Sequence, residues 1–380
     1  MKKYFFLSVF ALISLILSGQ ELQNFRPQQV VSPEIANGKV TFRIAAPQAY
    51  QVRLYGSWMA SMTVAEPLAR DTGGVWSVTI NAPEPEIYTY NFIVDGVSVN
   101  DAANIFMQRD GRRFMSILLI DGPLTANYRE ATKRGNLDKV WYDSPTIGAT
   151  RRMFVYTPPG YATSGKRYPV LYLLHGAGGD EDAWSNMGRA CQILDNLIEQ
   201  GKAVPMLVVM PNGNPGQQAA QTLLLPEKTF DRTDPAFANL YVNSIVKDIV
   251  PYIEKNYRVI ANPNNRALAG LSMGGGHTVT TTTLYPGFFK YIAPLSAAVM
   301  QLAQRDQAEV DAELQAIKRA GYKLYWMACG TDDFIWESSK NLDEALTRNG
   351  MEHTFLITDG GHTWANWRKY LNEFAPLLFK

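Results

Sequence analysis

The chemistry of this 380-residue chain centres on Gly270-Leu271-Ser272-Met273-Gly274, followed by Gly275 and Gly276. The pattern is G-x-S-x-G, with an apolar run from Arg266 to Leu271 before it and residues able to open a helix at Thr278 after it. A sharp turn from strand to helix lifts a serine oxygen above a sheet edge, and the flanking glycines permit a strained backbone and a close approach of the two elements. An ordinary glycine-rich turn is the plain alternative, and the strand-turn-helix context argues against it. A nucleophilic serine needs a base and a group that orients the base. After such an elbow the partners follow in the chain order Ser, Asp or Glu, His.

His277, His353 and His362 follow Ser272. His277 lies on the helix leaving the elbow, too close in sequence to turn back, and fits a structural role. His353 opens the strand 353–357, at the end remote from the serine. His362 comes after Asp359-Gly360-Gly361, just past that strand, at the carboxyl edge where ligands of open α/β sheets collect. His362 is therefore the expected general base. A carboxylate to fix its tautomer is available at Asp332 and Asp333, in Cys329-Gly330-Thr331-Asp332-Asp333-Phe334, and spacing leaves both open. The oxyanion needs two backbone N–H groups. Met273 supplies one, and the loop Leu174-His175-Gly176-Ala177-Gly178-Gly179 the other, assigned to Ala177 with Gly176 as alternative. His175 is expected to hold that loop by hydrogen bonding.

These residues require a sheet that brings several strand ends together. Tyr168–Leu174, Val204–Met210, Arg266–Leu271 and Tyr322–Ala328 are continuous apolar runs, as in strands of a parallel sheet covered on both faces. Helical stretches separate them: Tyr241–Tyr257 carries Ile245, Ile249 and Ile253 at four-residue spacing, and Ser338–Asn349 follows a later strand. The alternation predicts a doubly wound α/β domain over 146–380. Before it, 20–121 has period two. Lys39–Ile44, Val52 with Leu54, Trp76 with Val78 and Ile80, and Tyr88 to Val94 alternate, with turns at Asp71-Thr72-Gly73-Gly74 and Asp95-Gly96. This predicts an all-β, immunoglobulin-like sandwich. Gly122, Pro123, Gly135 and Pro145 mark 122–145 as a connector.

At the start, Lys2 and Lys3 precede an apolar stretch from Phe5 to Leu17, and Ser18 and Gly19 follow. This is the pattern of a secretory signal over 1–19, so the protein is expected to be exported, periplasmic or extracellular. No later run reaches the roughly 18 apolar residues of a membrane span. The 36 Lys and Arg against 35 Asp and Glu give a net charge of +1, and without Lys2 and Lys3 there are 34 against 35. Neither value offers an electrostatic footprint for nucleic acid. Cys191 and Cys329 cannot staple so long a chain and are expected as free thiols. No H-E-x-x-H occurs and the four histidines are scattered, so no metal or cofactor is called for.

The segments Ile147–Tyr161, Leu174–Trp184, Gly270–Gly275, Gly330–Phe334 and Gly361-His362-Thr363-Trp364 resemble the esterase D-like α/β hydrolases, most closely the feruloyl esterases of carbohydrate esterase family one. The blocks Phe42–Pro47, Val52–Gly56 and Tyr90–Gly96 resemble the immunoglobulin-like glycan-binding modules found beside starch- and glycogen-active enzymes. The first resemblance implies Ser272 as nucleophile, His362 as base and Asp333, rather than Asp332, as acid. It implies acyl transfer in two steps, with a feruloylated or acetylated plant polysaccharide as substrate. A similar order of domains recurs in siderophore trilactone esterases, so an acetylxylan or trilactone esterase is the alternative. A glycan-binding protein with an inactive hydrolase domain is the alternative of another class. A hydroxycinnamoyl group needs a flat apolar slot. Trp184, Trp336 and Trp364 either line it or pack beneath the catalytic loops, and the aperiodic stretch 213–237 is a candidate cover. Trp58 and Trp76 are candidate sugar platforms on the sandwich, with core the expected role for Trp76.

Overall fold

The computed structural model describes residues 30–111, 113–223, 237, 239–299 and 302–380. The signal expected at 1–19 lies outside the described residues, as do 224–236 of the candidate cover. The chain forms two compact units, one ending at Ala82 and completed by Thr89–Phe106, the other made of Pro83–Tyr88 with Met107–Lys380.

In the first unit β1 (Glu34–Ala36), β2 (Lys39–Ala45), β3 (Val52–Gly56), β4 (Glu66–Pro67), β5 (Ala69–Arg70), β6 (Val75–Asn81), β7 (Ile87–Val94) and β8 (Val97–Val99) form two antiparallel layers. One runs β1-β2-β6-β5, and the other contains β4-β3-β7 with β8 on β7. Alternation puts Val40, Phe42, Val52 and Leu54 inside. Trp76 is buried with its indole N–H on the Ala46 carbonyl, so it belongs to the core. Trp58 stacks on Phe42 at 5.9 Å, over a glycine, Gly56, where a Cβ would strike its ring. Both tryptophans serve packing.

The larger unit opens with a hairpin of β9 (Met107–Asp110) and β10 (Arg113–Leu119), inside the 20–121 stretch that period two assigns to the sandwich. It continues through β11 (Asn136–Ser144), β12 (Ala149–Thr157), β13 (Val170–Leu174), β14 (Leu207–Pro211), β15 (Arg266–Leu271), β16 (Tyr291–Leu295), β17 (Leu324–Gly330) and β18 (Thr354–Thr358). These make one sheet in the order β11-β12-β14-β13-β15-β16-β17-β18, antiparallel at β11, β12 and β14 and parallel from there on. The expected connector thus contains an edge strand. Exposed on most of its length, β11 carries no alternating apolar signal.

Every residue of β13 and β15 is buried. Leu171 and Leu173 join a core layer with helices α1 (Ala190–Glu199) and, at the chain end, Trp364–Phe374, while Val170, Tyr172 and Leu174 join the layer on the other face. That face is covered by Ile245, Ile249 and Ile253. Their helix is not uniform: α2 (Leu240–Ser244) widens into a π turn at Ile245–Ile249 before α3 (Val250–Asn256). Pro251 has no N–H to give the preceding turn, and the wider turn accommodates the missing bond. Then come α4 (Met273–Leu284), α5 (Gln307–Ala320), α6 (Trp336–Arg348) and α7 (Trp364–Phe374). No helix among the described residues is long and apolar enough to cross a membrane, and Cys191 and Cys329 are free thiols.

Arg368 of α7 is 2% exposed and ties α7 to the stretch 83–88. It donates to Glu86 at 2.9 Å, to the Met187 carbonyl at 2.7 Å and to the Ile87 carbonyl at 3.1 Å. Its removal leaves a carboxylate and two carbonyls without their buried partner. Arg368→Ala is expected to destabilise the unit by about 3 kcal/mol, read as a lower midpoint in chemical denaturation.

Candidate active site

Register aligns the parallel strands at their carboxyl ends. Leu174 pairs with Gly270, Leu271 with Leu295, and Gly330 with Thr358. The loops that leave these ends carry His175–Gly179, Ser272, Ser296, Asp333 and His362, so residues far apart in sequence meet on one edge.

Ser272 lies between β15 and α4 with φ 53° and ψ −117°, a conformation that L residues rarely adopt. Its N–H donates to the Leu295 carbonyl at 2.9 Å, and its own carbonyl accepts the Ala298 and Gly276 N–H groups at 3.0 Å each. The glycines around it have no room for a side chain. A Cβ on Gly274 would stand 2.6 Å from the His175 carbonyl oxygen, and one on Gly275 2.8 Å from the Ala297 Cα.

His362 Nδ1 donates to both Asp333 oxygens, at 2.9 and 3.0 Å. Burial alone would raise the Asp333 pKa, but hydrogen bonds from His362, the Ile335 N–H and Ser296 outweigh it and hold the carboxyl below its ordinary value. The Ser296 hydroxyl in turn accepts the Trp367 indole N–H at 3.2 Å. Asp332 is exposed, with its N–H on the Gly360 carbonyl, and stands in the turn.

Residues 144–378 match the model of the family described as "Putative esterase", and 29–105 match carbohydrate-binding module 48, the isoamylase N-terminal domain. The chain belongs to this esterase family. An endo-1,4-β-xylanase/feruloyl esterase of Xylanibacter ruminicola is 32% identical over 91% of the chain and 45% of its own length. Endo-1,4-β-xylanase Y of Acetivibrio thermocellus is 26% identical over 61% of the chain and 22% of its own length, so the chain spans less than half of either relative. Among solved structures, a ferulic acid esterase is similar at 26% identity and TM-score 0.52 over 64% of the chain and 98% of its own. The enterobactin esterase of Shigella flexneri, at 16% identity, shares the fold with TM-score 0.64 over 90% of the chain and 94% of its own. The larger unit is an α/β hydrolase, preceded by an immunoglobulin-like sandwich.

In this esterase the loop 175–182 is held from one side by buried polar groups. Burial lowers the His175 pKa, which keeps the ring neutral. Its Nε2 accepts the Gly213 N–H at 2.8 Å, which leaves Nδ1 to donate to the Gly176 carbonyl at 2.7 Å. Glu181 accepts from Arg152, Asn212 and the Ala220 N–H at 2.8, 3.1 and 2.9 Å. Gly176 is buried behind the elbow, where a Cβ would stand 3.2 Å from that of Ser272, whereas Ala177 is exposed at the loop tip.

The three tryptophans separate by environment. Trp184 is 1% exposed with its indole N–H on the Leu174 carbonyl, so it supports the loop from within the core. Trp336 opens α6, half-buried and stacked on Phe355 at 5.7 Å. Trp364, also half-buried, meets Trp184 and Trp367 edge-on at 5.3 and 5.1 Å. Among the described residues the aromatics in contact with His362 are others: Phe334, with ring centroids 4.4 Å apart, and Trp367, at 4.8 Å. Phe334 is 77% exposed. Its place directly after Asp333, an apolar residue in a polar turn, was the available signal. His277 packs on Tyr241 at 4.9 Å, and burial first and His175 second push it down to about 4, so its buried ring is neutral at pH 7.

Asp333→Asn keeps the shape but favours the wrong imidazole tautomer, and kcat is expected to fall about 10⁴-fold, measured by steady-state hydrolysis of para-nitrophenyl acetate. A lowered carboxyl pKa stabilises the fold above the unfolded value of 3.8 and ceases to do so as pH falls through the folded value. The stability gap between wild type and this variant should therefore close in acid.

Proposed function

We propose that this chain is an exported serine carboxylic-ester hydrolase that releases hydroxycinnamic acids from arabinoxylan. The observation that carries the mechanism is the His362–Asp333 pair at the sheet edge that bears the Ser272 elbow. Asp333 holds Nδ1 protonated, so Nε2 is the free basic nitrogen. His362 takes the Ser272 proton as the hydroxyl attacks the ester carbon. The Met273 amide, at the start of α4, and the Ala177 or Gly176 amide stabilise the oxyanion. The alcohol leaves with the proton from His362, and water, activated by the same histidine, then cleaves the acyl-enzyme.

Several features support an aromatic acyl group. Phe334 presents an exposed ring against His362, available for offset stacking on a planar acyl chain. The relative named as a xylanase/feruloyl esterase and the module matched at 29–105 favour a polysaccharide ester. The stretch 1–19 favours export. A second reading, a siderophore trilactone esterase, draws on the enterobactin esterase, whose fold spans both units of this chain.

Methyl ferulate, acetylated xylan and a trilactone siderophore, each offered to wild type and Ser272→Ala, separate these readings. Turnover of methyl ferulate by wild type alone is the expected result. Full activity in Ser272→Ala would falsify the nucleophile, and preference for the trilactone would replace the substrate. Phe334→Ala is expected to raise KM for methyl ferulate about fivefold, the scale of one aromatic contact, while leaving para-nitrophenyl acetate little changed.

A further inference from the structure

We infer that Arg109 is a positioning residue for the oxyanion loop, supplied by a hairpin that lies outside the stretch matched to the esterase family. The inference rests on the oxyanion reading above and adds a group to it. Arg109 sits on β9, next to the Asp110–Arg113 pair that joins β9 to β10, and Gly111 lies against the loop. A Cβ on Gly111 would stand 3.3 Å from the Gly178 carbonyl oxygen.

The guanidinium is 7% exposed and grips the end of the same loop. Nη2 donates to both oxygens of Asp180, at 2.7 and 2.9 Å, and to Asp182 at 3.2 Å, while Nη1 donates to the Gly111 carbonyl at 2.7 Å. The Arg109 N–H donates to the Asn186 side chain at 3.0 Å. One cation thus joins its own turn to two carboxylates that would otherwise repel each other in a buried place. The opposite side of the loop is held by His175, Asn214 and Gln217, the last two donating to the Gly179 carbonyl at 3.2 and 3.1 Å. Gly176 and Ala177 stand between these fixings. Without Arg109 the Asp180 carboxylate loses its buried partner while Gly179 and Glu181 stay held by theirs, so only the hairpin side of the loop loosens and the amides lose part of their aim at the charge that develops on the carbonyl oxygen. That charge exists only in the transition state, so the loss belongs to kcat and not to KM.

The test uses the full chain with para-nitrophenyl acetate, a probe indifferent to the natural acyl group, and compares wild type, Ser272→Ala, Arg109→Ala and Arg109→Lys. Arg109→Ala is expected to lower kcat about 10- to 100-fold with KM within about twofold and near-ultraviolet circular dichroism unchanged. Arg109→Lys, which keeps the charge but not the fork, should fall between it and wild type. If Arg109→Ala does not fold, the lysine variant decides alone, with kcat expected about fivefold down at unchanged KM. Wild-type kcat in whichever variants fold overturns the inference. So does a loss shared between kcat and KM, or one that tracks loss of folded protein in both variants. Activity surviving in Ser272→Ala overturns the acyl-enzyme reading and this inference with it, which distinguishes the two failures.

Discussion

The strained backbone of Ser272 is the constraint on which the rest of the larger unit depends. A non-glycine residue at φ 53° and ψ −117° costs on the order of 1–3 kcal/mol and persists only if its surroundings over-determine it. Here they do: Leu295 accepts its N–H, Ala298 and Gly276 donate to its carbonyl, and α4 begins at the next residue. These partners belong to β16, the loop beyond it and the first turn of α4. The elbow is therefore possible only where β15 lies in register beside β16 and where glycines let the helix touch both neighbouring strands. Burial of β13, β15 and β16 on both faces makes that register stiff, because a slip of one residue would exchange the two core layers.

Around this fixed point the site is built from buried charges that each have a partner. Asp333 is matched by His362, Glu181 by Arg152 and Asp180 by Arg109. Such pairs add little net stability compared with apolar packing, but a lone member would be expensive to keep. Their effect is to allow one arrangement of each loop. Aromatic rings do the same for His362, since Phe334 and Trp367 confine its imidazole while Asp333 sets its tautomer. The stretches 83–88 and 107–121 take part in this network through Glu86 and Arg109. Period two alone would leave them to the sandwich.

Local patterns were sufficient for the broad organisation. Continuous apolar runs marked buried parallel strands, alternation marked the sandwich, and G-x-S-x-G between a strand and a helix marked the elbow. Chain order and position past a strand end singled out His362. An edge strand such as β11, exposed along most of its length, left no such pattern, and neither did the π turn that precedes Pro251.

By itself, then, the sequence determined the fold class, the strand-turn-helix elbow at Ser272 and the short set of polar residues past the neighbouring strand ends, because periodicity and turn chemistry are local properties. Tertiary structure decided what depends on distance. It assigned Asp333 and not Asp332 to His362, since only one of two adjacent carboxylates faces the imidazole. It put Trp184 in the core and Phe334 against the histidine, and it brought Arg109 to a loop some seventy residues away. No spacing in the chain encodes these pairings, which arise when separate strand ends are packed onto one edge.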